Sequence, residues 1–246
     1  MKQIMNAYTA EDREVWNILF ERQIDNLQKK GSQAYLDALQ EMKEVLNPDE
    51  IPDFTKVNAW FKSRTGWEIK VVPGLIPVED FFTLLANKQF CSSTWLRNKS
   101  QLDYLEEPDM FHDIFGHVPL LCNPIFSDFM HEFGKLGVEH IGDEIATVQL
   151  QRLYWYTIEF GLIQEEKIKS YGAGIMSSFG ETNLIDKGVG NFMPFDIEKL
   201  MNLPFQNDAI QENYFVIDSF EELFDSLKIA KKVLKNIKTT KTVDEL

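Results

Sequence analysis

The chain has 246 residues, 44% of them apolar, and carries a formal net charge of −14 from 25 Lys and Arg against 39 Asp and Glu. That balance argues against a nucleic-acid partner, whose binding rests on cationic contacts to phosphate, and against an anionic membrane surface; a small molecule in a pocket is expected instead. No stretch approaches the ~20 apolar residues of a membrane span, and Glu11, Asp12 and Glu14 follow the N-terminus too soon for a secretory leader, so a cytoplasmic location is expected.

Two cysteines, Cys91 and Cys122, make neither a disulfide framework nor a Cys-x-x-Cys pair, which suits a reducing compartment. Thr9 with Asp12 three residues on resembles a capping box, and Trp16, Phe20, Ile24 and Leu27 follow at helical spacing up to Lys29-Lys30-Gly31. A second helix runs from Ser32 with Tyr35, Leu36, Leu39, Met42 and Leu46 on one face, and ends at Asn47-Pro48. A third carries Val57, Trp60 and Phe61 and stops at Gly66. Residues 67–72 alternate and read as a strand, residues 78–87 as a short helix, and Phe90 to Leu96 as a second strand that delivers Arg97 into a polar loop.

Residues 107–119 then place His112 and His117 five positions apart among Met110, Phe111, Ile114, Phe115 and Val118. Neutral imidazole is the commonest protein metal ligand. On an α-helix five residues advance about 140° past a full turn, so the two would not share a face unless Gly116 loosened or ended the helix and turned His117 back. The alternative is a helix end with two hydrogen-bonded core histidines. Asn123-Pro124 caps a helix to about Leu136, and His131 and His140 read as surface groups.

Asp143 to Ile163 gives the longest helical pattern, and it holds an anomaly. Glu159 is flanked by Tyr154, Trp155, Tyr156, Ile158, Phe160, Leu162 and Ile163. A carboxylate buried unpaired costs several kcal/mol and needs a cation or a raised pKa. Arg152, two turns back, could supply a structural pair. A divalent metal held by His112, His117 and Glu159 is the economical alternative, and two imidazoles with one carboxylate, leaving positions open, is the pattern of non-haem Fe(II) oxygenases.

Residues 168–171 read as a strand, and Gly172 to Glu181 as a glycine- and serine-rich turn or ligand-lining loop; no strand leads into a G-x-G-x-x-G motif, so no dinucleotide is indicated. A short helix covers Asp196 to Leu203 and Tyr214 to Ile217 is a strand. Ser219 with Glu222 opens a final amphipathic helix whose basic residues (Lys228, Lys231, Lys232, Lys235, Lys238, Lys241) read as its solvated side. The fold class expected is α+β and predominantly helical: one compact domain over 1–246 with a few short strands. No internal repeat or linker divides it.

Three stretches, Asp103 to Pro119, Leu153 to Leu162 and Lys169 to Glu181, resemble the catalytic domain of the pterin-dependent aromatic amino acid hydroxylases, most of all the compact bacterial phenylalanine 4-monooxygenases. The similarity runs from about Lys56 to Asp225, with N-terminal helices over 1–55 and a C-terminal helix and tail over 226–246. The resemblance implies Fe(II) held by His112, His117 and Glu159 as the catalytic centre, with Arg97 pairing with the substrate α-carboxylate in a bidentate fork. Asp109, Trp155, Phe160, Gly174 and Ser177 would complete the amino-acid site. A tetrahydropterin, tetrahydrobiopterin or a bacterial pterin, would stack on Phe81 near Ile76, Asp113 and Tyr154, with dioxygen as co-substrate.

The sequence departs from animal members at Leu105, Gln151 and Asn207, and it lacks their regulatory and tetramerisation segments, so a monomer is expected. The activity implied is ring hydroxylation of an aromatic amino acid, L-phenylalanine to L-tyrosine. Tryptophan or tyrosine hydroxylation within the same family is the nearer alternative; Trp155 favours phenylalanine, because the tryptophan enzymes have the smaller phenylalanine there. A zinc hydrolase using the same three residues disagrees with the i,i+4 histidine spacing of zincins. A non-catalytic binding protein is the third reading.

Overall fold

Thr9 starts the fold as the sequence predicts: its hydroxyl accepts from the Asp12 backbone N–H (3.1 Å), and the Asp12 carboxylate accepts from the N–H of Thr9 (2.7 Å). This computed structural model describes residues 1–244 apart from residues 104, 106, 207 and 208, with side chains as far as residue 236. Helix α1 (Ala10–Leu27) buries Trp16, Leu19, Phe20 and Leu27; α2 (Gln33–Glu41) is capped by Ser32; α3 (Phe54–Thr65) ends at Gly66, whose φ of 77° lets its N–H bond back to Lys62. Strand β1 (Glu68–Val71), helix α4 (Val78–Ala86) and strand β2 (Gln89–Ser92) follow, β2 lying parallel to β1 with Ile69 opposite Phe90.

β2 is shorter than the predicted Phe90–Leu96 strand. Beyond Ser92 the backbone turns to the histidine stretch: Ser93 N–H donates to the Asp113 carboxylate (2.9 Å), and Trp95 C=O accepts from Met110 N–H (3.0 Å).

Helix α5 (Pro124–Val138) is capped by Asn123, whose side chain accepts from the N–H groups of Ile125 and Phe126. His131 and His140 are not the surface groups expected. The His131 ring meets Ala86 O (3.1 Å) at the end of α4, and His140 is buried against Leu136 O (2.9 Å). Carbonyls of a last helical turn lack intrahelical partners, and an imidazole satisfies one of them.

The predicted Asp143–Ile163 helix is three elements: α6 (Glu144–Tyr154), a widened turn over Trp155–Glu159, and strand β3 (Leu162–Gln164). Pairing breaks it: Gly161 C=O accepts from the N–H groups of both Tyr171 and Gly172, and Leu162 and Ile163 pair antiparallel with β4 (Ile168–Ser170). The expected Gly172–Glu181 loop is instead two short helices, α7 (Ala173–Met176) and α8 (Phe179–Asp186), the second capped by Ser178. Strand β5 (Asn191–Pro194), unforeseen because its half-exposed residues show no apolar alternation and end in proline, lies at the sheet edge. Then come α9 (Ile197–Asn202), β6 (Asn213–Ile217) and the 25-residue α10 (Phe220–Asp244). The sheet order is β4-β3-β6-β5, with β6 parallel to both neighbours. Lys238 and Lys241 have side chains outside those described.

The architecture is α+β and mostly helical, with an aromatic-rich core running from Trp16 and Tyr35 through Phe111 and Phe115 to Phe129 and Phe133. Among the described residues no helix is long and apolar enough to cross a membrane. α4 and α5 touch along Gly134 and Gly137; a Cβ at Gly137 would stand 2.2 Å from Phe82 Cγ. Overpacking at such a contact is destabilising. Gly137→Ala is therefore expected to lower unfolding stability by about 1–3 kcal/mol, read as a lower urea midpoint at unchanged slope.

Candidate metal centre

Two widened helical turns carry the three residues that face one another. Residues His112–His117 form a π-helical turn, as do Trp155–Glu159, where Phe160 N–H donates to Trp155 O (2.9 Å) across five residues. A turn closed at i→i+5 stacks residue i+5 over residue i, which an α-helix does not. This is why a five-residue spacing brings two imidazoles together: His112 Nε2 and His117 Nε2 are 3.1 Å apart. Of the two alternatives for Gly116 the helix is loosened and not ended: the glycine stays inside the wide turn and lets α7 approach, since a Cβ there would stand 2.8 Å from Ala173 O. Tyr35 OH donates to Phe115 O (2.5 Å), satisfying one carbonyl of the turn.

Glu159 closes the set. Its Oε1 is 3.1 Å from His117 Nε2 and its Oε2 is 3.6 Å from His112 Nε2. Arg152 is not its partner, because that guanidinium donates to Met201 O (3.3 Å). Gly172 fits against the Glu159 backbone, where a Cβ would stand 2.4 Å from the Glu159 carbonyl oxygen. Ligand atoms about 2.1 Å from a first-row metal and about 90° apart lie about 3 Å from one another, so this spacing fits three positions on one side of a divalent ion.

Protonation suits the same role. Burial, with His117 and Arg97 nearby, holds His112 down to about 4 against the pull of Glu159. Burial pushes Glu159 up, but His117 and His112 together with hydrogen bonds from His117 and Tyr154 outweigh it and bring the carboxyl to about 2. The His112 tautomer is fixed by its other nitrogen. Ser177 Oγ spends its one proton on Ala173 O (2.8 Å), so at 2.9 Å it accepts from His112 Nδ1–H and leaves Nε2 with a bare lone pair.

The three residues stand in a cleft of about 660 Å³, within the range of small-molecule sites. Arg97, Ile76, Phe81, Asp113, Tyr154, Trp155, Phe160, Gly174 and Ser177 line it, as do Leu105 and Gln151. The Phe81 ring lies edge-to-face with Tyr154, their planes at 85° and centroids 5.2 Å apart. Burial pushes the Asp113 carboxyl well up, although it accepts from Ser93 N–H. Asn207 lies outside the described residues.

Asp109 is fully buried behind the cleft wall and does not line it. Its Oδ2 accepts from Arg97 N–H (3.0 Å) and Nε (2.9 Å), its Oδ1 from Arg97 Nη2 (2.9 Å) and His112 N–H (3.1 Å). The Arg97 fork expected to grip a ligand carboxylate is thus occupied by Asp109. The Nη1 end of the guanidinium is what remains for a ligand. The sequence also gave no signal for Phe205, which stacks on Trp155 at 4.4 Å and 15° and lines the cleft from a segment without periodicity.

A family model described as biopterin-dependent aromatic amino acid hydroxylase matches residues 2–242, wider than the Lys56–Asp225 stretch that carries the motifs. Phenylalanine-4-hydroxylase of Chromobacterium violaceum is 44% identical over 230 residues, covering 92% of this chain and 76% of that protein. The enzyme of the same name from Mesorhizobium japonicum is 44% identical over 229 residues, covering 91% and 81%. Among solved structures, the C. violaceum phenylalanine hydroxylase bound to cobalt matches with a TM-score of 0.88 at 46% identity, covering 92% of this chain and 81% of that one. The structure of that enzyme with iron(III) and oxidised cofactor 7,8-dihydrobiopterin matches with a TM-score of 0.87 at 45% identity, covering 94% and 86%.

Two outcomes follow from this geometry. Ser177→Ala should weaken Co(II) or anaerobic Fe(II) binding about tenfold, as outer hydrogen-bond partners of metal ligands do, with little change in the unfolding midpoint of the metal-free protein; calorimetric titration reads the first and thermal unfolding the second. At Asp109, burial pushes the carboxyl up, but the Arg97 guanidinium and the N–H groups of Arg97 and His112 hold it below the usual carboxylate range. A depressed folded pKa gives stability that is present above the unfolded value of about 3.9 and lost as pH falls through the folded one. Asp109→Ala should therefore cost about 3–5 kcal/mol near pH 7, and the gap to the wild type in urea unfolding should narrow below about pH 4.

Proposed function

Because the chain belongs to the biopterin-dependent aromatic amino acid hydroxylases, we propose that it hydroxylates L-phenylalanine to L-tyrosine, using Fe(II) at His112, His117 and Glu159 and a tetrahydropterin in the adjoining cleft. The observation that carries the metal assignment is the convergence of two imidazole nitrogens and one carboxylate, 3.1 to 3.6 Å apart, at the floor of that cleft. When bound, the iron and the reduced pterin supply the activation of dioxygen: the pterin gives two electrons, one oxygen atom enters the ring and the other is reduced.

The protein's own part is to hold and orient. A neutral His112 and an ionised Glu159 near pH 7 offer lone pairs without first losing protons, which favours a divalent cation over protons. Arg97, kept rigid by Asp109, offers its Nη1 end to the α-carboxylate of an amino acid. That grip leaves the side chain of the substrate to lie against Trp155 and Phe160, whose centroids are 4.7 Å apart, with Phe205 behind Trp155. Gly174 keeps the facing wall low, since a Cβ there would crowd the Phe160 ring at 2.9 Å. At the other end the half-buried ring of Phe81, which lines the cleft with Ile76 and Asp113, suits a planar pterin. These walls are apolar, so water is thinned around the reacting centre.

The test is incubation of Fe(II)-loaded protein with tetrahydropterin, air and phenylalanine, tyrosine or tryptophan in turn, with product identification by mass. Tyrosine from phenylalanine as the fastest reaction is expected. Glu159→Ala should produce no tyrosine above background, and Arg97→Lys should lower kcat/KM for phenylalanine by about 30- to 100-fold, chiefly through KM, because a single ammonium cannot hold Asp109 through two directed bonds and still present a third donor to the substrate. Wild-type turnover by Glu159→Ala would refute the site assignment.

A further inference from the structure

The amino-acid end of the cleft is held from behind by α1, which lies outside all three motif stretches. Lys99, two residues after Arg97, bonds α1 twice: its N–H donates to Glu11 Oε1 (3.3 Å) and its Nζ to Glu14 (2.6 Å). About two and a half turns further along, Gln23 donates to Met176 O (2.7 Å) and Thr182 Oγ1 (3.0 Å), fastening the opposite wall, α7 and α8, to the same helix. Between them stands Arg22. Its Nη1 meets Asp103 Oδ1 at 2.6 Å, its Nη2 donates to Leu102 O at 2.7 Å, and its guanidinium carbon lies 4.9 Å from the centroid of the Phe179 ring. Leu102, Asp103 and Phe179 all line the cleft, and Arg22 itself does not.

We propose that Arg22 is a positioning residue for the amino-acid substrate: by bonding Leu102 and Asp103 while lying over Phe179, it fixes the gap between the segment bearing Arg97 and the start of α8. This rests on the phenylalanine-binding reading given above. The Asp103 side chain is 87% exposed, so the ion pair alone contributes little. The weight falls on the carbonyl bond and the cation–π contact, which need the flat guanidinium: one plane serves two directed N–H bonds at its edge and a ring at its face. Lysine reproduces the charge and not that geometry. Among the described residues Arg22 meets Leu102, Asp103 and Phe179 and not Phe81 or Tyr154, so the effect is expected at the amino-acid end.

The test measures steady-state kinetics of Fe(II)-loaded Arg22→Gln, Arg22→Lys and Phe179→Leu, with direct titration of phenylalanine and thermal unfolding of each. Arg22→Gln is expected to raise KM for phenylalanine about tenfold (a change of 1.4 kcal/mol), with kcat and the pterin KM each within about threefold of wild type. Arg22→Lys should recover less than half of that loss on a logarithmic scale. Phe179→Leu should raise the same KM, and the Arg22→Gln/Phe179→Leu double variant should be no worse than the worse single one, since both remove the same contact. An unchanged phenylalanine KM in folded Arg22→Gln and Phe179→Leu overturns the proposal. So does a parallel loss in phenylalanine KM, pterin KM and kcat, which marks general loosening, or full rescue by Arg22→Lys. Failure of the wild-type protein to turn over or bind phenylalanine would instead sink the reading on which the proposal rests.

Discussion

A carboxylate placed inside an aromatic shell has to meet positive charge, and Glu159 is that carboxylate. It sits at the end of a helix that has widened by one residue, with Tyr154, Trp155 and Phe160 around it, and its oxygens reach two imidazole nitrogens from a second widened turn. Each wide turn gives up regular α-helical geometry, a local cost that tertiary contacts must repay. The repayment is visible: Tyr35 OH covers Phe115 O, Thr157 Oγ1 covers Leu153 O at 2.5 Å, and Gly172 lets β4 and α7 close on the Glu159 backbone. Three donor atoms this close, on two turns held in place by the surrounding contacts, make a preorganised set for a divalent cation.

Asp109 and Arg97 form the second fixed point. Four hydrogen bonds converge on one buried carboxylate, two from the guanidinium and two from backbone N–H groups of Arg97 and His112. The same side chain thus sets the orientation of a cation that lines the cleft and the start of the turn that carries the first imidazole. Truncating it leaves a charged guanidinium buried without a partner.

The N-terminal helices have a larger part than the motifs suggest. α1 touches the segment after Arg97 through Lys99 and Arg22 and the opposite wall through Gln23, and Gly31 bridges to Ser170 in the four-stranded sheet. A cleft between two chain segments more than seventy residues apart needs a rigid third body to hold its width. That body is a helix whose face toward the core is apolar packing apart from the buried Gln23.

What the sequence determined by itself is the chemistry and most of the elements: the Thr9 capping box, the helices α1, α3 to α5 and α9, the start of α2 though not its end at Glu41, the Asn123 cap, and a lone carboxylate among aromatics too costly to bury without a cation. The resemblance carried by three short motifs added the ligand set and the lining of the cleft. What only the tertiary structure decided is where hydrogen bonds leave the regular ladder. The five-residue histidine spacing contradicts an α-helix, and only the widened turn resolves it. The break of the Asp143–Ile163 pattern at Gly161 depends on pairing with Tyr171 and Gly172, and the early end of β2 on Ser93 turning to Asp113. The Arg97 fork went to Asp109, twelve residues on, and Phe205 reached Trp155 from a segment with no pattern at all. Periodicity reports the solvent side of an element; it is silent about which distant backbone or carboxylate will claim a free N–H, and that choice shaped this site.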